Sequence, residues 1–340
     1  MRKSQILWFW ALLVFASCST EVDLYAPYEQ KPIVYGILDA NADTNFIKIV
    51  RTFSVQGDAY QTAQDPDSSN YPGKLDVRLV EYCNRDSIRE IVLDTITIHD
   101  KESGIFYAPD QKLYYTAEPL HQNTKTEQYS YKLKVVLPDR TLTTKTDIVG
   151  NAGFDIQSLA VDFSKEYIGA VPRQFLFHPA IKGAVYEFRF SFTFLEQRGP
   201  DGDSVPRTMT WKAGTFSDEY FALNTINDAY VFSYYPSPFY DRLKEFVGDD
   251  STLLDVQRFI TDYPVEITII AGEEKLSQYI HNNNSDEGFL AGDSEFSLIN
   301  GGYGVFSSRM TLCRKVRLGG NTVPDLLNMT GWNFKFIGGK

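Results

Sequence analysis

The strictest pattern in the chain runs from Tyr186 to Phe194. Tyr186, Phe188, Phe190, Phe192 and Phe194 take every second position, with Glu187, Arg189, Ser191 and Thr193 between them. A period of two puts the five aromatics on one face of a strand and the polar residues on the other. Such a strand must lay its aromatic face on a second layer, so this part of the chain folds as a sheet over a core. Gly199–Asp203 then turns the chain, and Thr208–Phe216 returns as the second arm of a long hairpin.

The same period recurs earlier. Leu75, Val77 and Leu79 alternate with Asp76 and Arg78, and Tyr129, Tyr131, Leu133, Val135 and Leu137 alternate with Ser130, Lys132 and Lys134. Ile33–Leu38 is apolar on both faces, which predicts a central strand. Phe46–Phe53, Glu90–Ile98, Gly104–Tyr115 and Leu142–Ile148 complete a set of short strands separated by turn-rich stretches, with no good helix among them. That spacing predicts a β-sandwich over residues 31–150.

Residues 151–340 predict a β-rich C-terminal domain with a few short helices, and a length of 340 residues suits two domains. Ser237, Pro238 and Gly248 read as N-cap, first helical position and C′ of a helix whose apolar face is Phe239, Leu243, Phe246 and Val247. A brief helix is expected at Glu273–His281, and strands at Pro264–Ile270, Tyr303–Arg317 and Trp332–Ile337. Cys83 and Cys313 both fall in strand-like segments, and a bridge between them stays open.

The first residues read as an address. Arg2 and Lys3 precede an apolar run from Ile6 to Phe15, then Ala16, Ser17 and Cys18. The run is too short to span a bilayer, and the order matches a signal peptide with a small-residue processing site. Residues 1–17 are therefore expected to be removed, Cys18 to carry lipid as the new first residue, and residues 18–30 to form a tether. Loss of Arg2 and Lys3 would take the formal charge from −11 to −13. Such an acidic chain argues against nucleic acid and against electrostatic docking on anionic headgroups, leaving the lipid to hold the membrane.

Catalytic signatures are missing from the sequence: it has no GxSxG elbow, no Walker loop, no HExxH and no CxxC. His99, His121, His178 and His281 share no metal-ligand spacing. No metal, no cofactor and no enzymatic activity are expected. Asp65, Asp67 and Ser69 alternate as some calcium ligands do, but Pro66 and the lack of a terminal Glu favour a solvated loop. Tyr234, Tyr235, Phe239 and Tyr240 surround Pro236 and Pro238, a loop-like setting that makes them the candidate binding surface for a glycan or a protein partner.

Three segments carry a family resemblance. They are Cys18 with Glu21-Val22-Asp23-Leu24 and Pro32–Leu38, then Leu75–Val80 leading to Thr146, and Ser297-Leu298-Ile299-Asn300-Gly301-Gly302-Tyr303-Gly304-Val305-Phe306-Ser307-Ser308-Arg309. The glycines of the third suit positive φ or close backbone approach where the chain enters a strand. Together these segments resemble a large family of Bacteroidota lipoproteins of unknown function, whose genes often sit beside TonB-dependent outer-membrane receptors. The resemblance implies an immunoglobulin-like N-terminal sandwich and an outer-membrane address, on the surface or the periplasmic face. It also implies a β-barrel partner, with the chain as an accessory subunit; a glycan- or ligand-binding surface lipoprotein is the alternative, and an extracytoplasmic enzyme comes third.

Overall fold

The computed structural model describes residues 30–55, 58–154, 160–165, 171–248, 255–283 and 298–337. Cys18, the segment expected to be a signal peptide and residues 19–29 of the tether lie outside them. In chain order the first half forms β1 (Pro32–Asp39), β2 (Asn45–Arg51), α1 (Ala59–Ala63), α2 (Pro66–Ser69), β3 (Asp76–Cys83) and β4 (Asp86–Val92). It continues through β5 (Asp94–Ile98), β6 (Gln111–Thr116), β7 (Tyr129–Val136) and β8 (Thr141–Asp147).

Two sheets of this half close on one core. One has the order β4-β3-β7-β8, and the other contains β1-β2-β6-β5. Val77, Leu79, Leu133 and Val135 from the first meet Val34, Leu38, Ile47 and Ile49 from the second, all buried. The alternating rows read from the sequence are the rows that fill this core. The single expected strand Glu90–Ile98 is instead two, because the chain changes sheets at buried Leu93. Of Gly104–Tyr115 only the end is strand; the rest is a loop over the outer face of β1 and β2. Between β2 and β3 lie two single turns of helix, where side chains of Asp58 and Asp65 accept the first backbone N–H groups of α1 and α2.

The second half adds β9 (Gly153–Phe154), β10 (Ala160–Val161), β11 (Arg173–His178), β12 (Val185–Arg198), β13 (Ser204–Ser217), α3 (Asp218–Ala222), β14 (Thr225–Ile226) and β15 (Ala229–Tyr234). Then come α4 (Ser237–Val247), β16 (Val256–Ile260), β17 (Val265–Gly272), α5 (Glu274–Asn283), β18 (Tyr303–Leu318), α6 (Thr322–Leu327) and β19 (Phe334–Phe336). The β12–β13 hairpin is the long one foreseen, and all five alternating aromatics of β12 are buried. They pack on a sheet of order β14-β15-β11-β9, with Phe188 stacked on Phe232 at 3.9 Å between ring centroids. Helix α4 starts at Ser237 rather than after it; Pro236 holds the cap position, and Gly248 closes the helix with φ of 75°.

One strand belongs to both halves. The first part of β18, Tyr303–Arg309, pairs in parallel with β1, and its continuation pairs antiparallel with β17. The resulting sheet runs β19-β16-β12-β17-β18-β1-β2-β6-β5. Ile299 and Phe306 are buried in the core of the first half, so that core draws on residues well beyond position 150. Entry into β18 uses the glycines: Gly301 and Gly304 have φ of 74° and 101°, and a Cβ on Gly304 would lie 2.1 Å from the Val34 carbonyl oxygen.

Candidate functional site

The aromatic surface expected at Tyr234, Tyr235, Phe239 and Tyr240 is not a platform. Tyr234, Phe239 and Tyr240 are buried in the second core, and only Tyr235 is exposed. Tyr234 ends β15 on the same face as Phe232 and accepts the Asp162 N–H on its hydroxyl at 3.0 Å. Phe239 stacks on Phe163 with 4.5 Å between centroids. Two prolines interrupt the segment, yet the strand before them and the helix after them both turn their aromatics inward.

Among the described residues, a cavity lies in the first half, on the outer face of β1 and β2. It encloses about 410 Å³, within the size of ordinary small-molecule sites. Its floor follows from the register: Ile33 lies opposite Val50 and Tyr35 opposite Lys48, all four on the face turned away from the core. The central place read for Ile33–Leu38 is the one the strand takes. It is central by pairing, between β18 and β2, but its outer side chains are half-buried or exposed. The loop from Lys101 to Asp110 forms one wall, with Phe106 at the lip.

That wall is fastened. Gln64 Nε2 donates to the carbonyls of Gly104 and Ile105 at 2.9 and 2.8 Å, and Tyr107 N donates to the Ala63 carbonyl at 3.0 Å. Helix α1, brief as it is, therefore braces the loop. The cavity is preformed rather than a gap left by a wandering segment.

Its charge is opposite to that of the chain. Lys48, Arg51, Lys101 and Lys112 line it against one carboxylate, Asp110, which is itself engaged by His99 Nδ1 at 2.7 Å. The cations are held by neutral acceptors. Lys48 donates to Gln111 Oε1 at 2.6 Å, Lys101 to the Tyr107 carbonyl, and Lys112 to the carbonyls of Tyr71 and Gly73 at 3.1 and 2.6 Å. Arg51 donates to the Asp67 carbonyl at 2.8 Å and keeps a buried Nε with no hydrogen-bond partner among the described residues. Burial, and then the neighbouring Lys101 charge, push the Lys48 ammonium below its ordinary range; burial does the same to Lys112. Such a pocket lacks the counter-charge that a buried cation ordinarily takes.

A second cluster of polar groups is closed. Glu81 is fully buried, and its carboxylate accepts from the Tyr131 hydroxyl, from His121 Nδ1 at 2.7 Å and from Arg89 Nε at 2.6 Å. Burial raises its pKa, but the hydrogen bonds from Tyr131, His121 and Arg89 outweigh this and hold the carboxyl below its usual range. All its partners are structural neighbours, so it clamps β3 and β7 to the loop carrying His121. Glu81 continues the inward row Leu75, Val77, Leu79, and that parity was the signal that could have found it.

Among the described residues, no three His, Cys, Asp or Glu side chains are grouped as a metal site would require. Asp65 and Asp67 belong to the α2 cap and first turn. Cys83 and Cys313 are free thiols in different halves. Among the described residues no helix is long and apolar enough to cross a membrane. No protein-family model matches the chain, and no curated protein matches it.

Proposed function

We propose that this chain is a lipid-anchored, extracytoplasmic binding protein of an outer membrane, acting beside a β-barrel receptor, with the cavity over β1 and β2 as its ligand seat. The observation that carries the binding reading is that cavity: braced walls, an apolar floor and four cations without matching carboxylates. The address is supported by Arg2, Lys3, the apolar run to Phe15 and Cys18. The finer reading of the first half as an immunoglobulin-like sandwich belongs with this proposal, supported by its two sheets over one core. A sugar platform loses its support, since three of its four aromatics lie in the core.

Native mass spectrometry of the protein released from its own membranes tests the seat. A bound small molecule that is lost in Val50→Trp, which fills the cavity floor, supports the proposal. A ligand-free protein, or a ligand retained by Val50→Trp, overturns it. Mild-detergent capture from the same membranes tests the partner: a stoichiometric β-barrel is expected, and a solitary protein counts against the accessory role.

A further inference from the structure

We infer that the cavity over β1 and β2 takes an anionic amphiphile: a small molecule with one carboxylate or phosphate head on an apolar body. The inference rests on the reading of this cavity as a ligand seat and adds the class of ligand. The head would lie at the ammonium groups of Lys48 and Lys101, with Lys112 and the Arg51 guanidinium elsewhere on the cavity lining. The body would lie on Ile33, Tyr35 and Val50, under Phe106.

Charge selects the head. The cavity has a formal surplus of three positive charges in a chain whose net charge is −11. Among the described residues, none of the four cations has a carboxylate within ion-pair distance. Lys48 instead has the Lys101 charge as its neighbour, and that repulsion is the kind an anion relieves. A divalent cation would be repelled. A neutral sugar would leave the ammonium groups without an ionic partner and would set hydroxyls against an apolar floor. A free inorganic anion would leave the floor unfilled. Nucleic acid is disfavoured by the acidity of the rest of the surface. A head–body ligand satisfies both parts of the wall at once.

Shape agrees with charge. Ile33 and Val50 face each other across the β1–β2 ladder, and Tyr35 and Lys48 form the next cross-strand pair on the same face. The apolar pair and the cation are thus one step apart along the strands, a spacing of about 7 Å for alternate residues. An anionic head bonded to a few carbons spans that distance.

Isothermal titration with four probes decides the question: decanoate, decyl phosphate, decanol and inorganic phosphate. Decanoate and decyl phosphate are expected to bind, each at least about tenfold tighter than decanol, with inorganic phosphate failing to bind. The ratio of the first two identifies which anion the head carries. Lys48→Gln with Lys101→Gln is expected to abolish the advantage of the anionic probes while leaving decanol unchanged. Lys48→Gln alone should lose part of it, which keeps the test valid if the double variant fails to fold. Rising salt should weaken the anionic probes only. Equal binding of decanol and decanoate, or indifference to the lysine changes, overturns the inference. Silence of all four probes, with native mass spectrometry still showing a ligand lost in Val50→Trp, overturns the ligand class and leaves the seat standing. Silence in both overturns the seat itself.

Discussion

Gly304 combines φ of 101° with a missing Cβ that would lie 2.1 Å from the Val34 carbonyl oxygen. Gly304→Ala is therefore expected to destabilise the protein by about 3 kcal/mol or more, through strain and collision together. Urea denaturation measures this, and a loss below about 1 kcal/mol would contradict the described entry into β18. Glu273 offers a different test. It is buried where β8 meets β18, accepting from Ser307 Oγ at 2.7 Å and Thr146 Oγ1 at 3.3 Å. Burial raises its pKa, so its favourable contribution is complete below the unfolded carboxyl pKa and is lost as pH rises through the folded one. Glu273→Gln should accordingly stabilise the protein at pH 7 and lose that advantage near pH 4, whereas Glu81, whose pKa is lowered, contributes above its unfolded pKa and loses that contribution on acidification. Unfolding curves of wild type and Glu273→Gln at the two pH values suffice; an unchanged difference between them would refute the assignment. Glu81 went unread although parity with Leu75, Val77 and Leu79 marks it as inward, whereas the glycines were legible, because φ is local. Lys48, Arg51, Lys101 and Lys112 were not, since they come from three segments and meet only through pairing of β2 and β6 and the fastened loop.

Helix α4 shows what a segment does when its neighbours are already committed. Phe239 is wholly buried against Phe163, while Tyr235 is exposed one residue beyond β15. Phe239→Ala is expected to cost about 3–5 kcal/mol, and Tyr235→Ala to stay within about 0.5 kcal/mol. Thermal or chemical unfolding of the two variants checks both, and similar losses would mean that the aromatics share one environment after all. Prolines at 236 and 238 suggested a loop, but Tyr234 keeps the parity of Phe232 and Phe239 keeps helical spacing with Leu243. Period-two strands were legible wherever one face was buried. The break at Leu93 was not, because an inward apolar residue looks the same whether the strand continues or changes sheets. The loop before β6 was missed for a related reason: Ile105, Phe106 and Tyr107 look like strand residues, yet they lie in a loop in which Phe106 and Tyr107 wall a cavity.

The largest feature hidden from the sequence is the parallel pairing of β1 with β18, since neither strand carries a local mark of its partner. It makes the first half dependent on the last part of the chain: Phe306 and Ile299 fill its core, and Tyr303–Arg309 covers an edge of β1 that would otherwise be open. A fragment of residues 30–150 is expected to lack a dispersed amide spectrum, and a peptide of residues 298–318 supplied in trans should restore it in part. A well-dispersed spectrum for the fragment alone would show that the shared strand is dispensable. The same pairing also sets how the molecule bears a load. Because β1 and β18 run in parallel, a pull on the chain before Pro32 and after Leu318 drags them in opposite directions along their own axes. The seven residue pairs from Ile33–Tyr303 to Asp39–Arg309 then resist together in shear instead of parting one after another like a zip. A molecule held by its first residues would carry tension through this ladder, which acts as a mechanical clamp at the root of the fold.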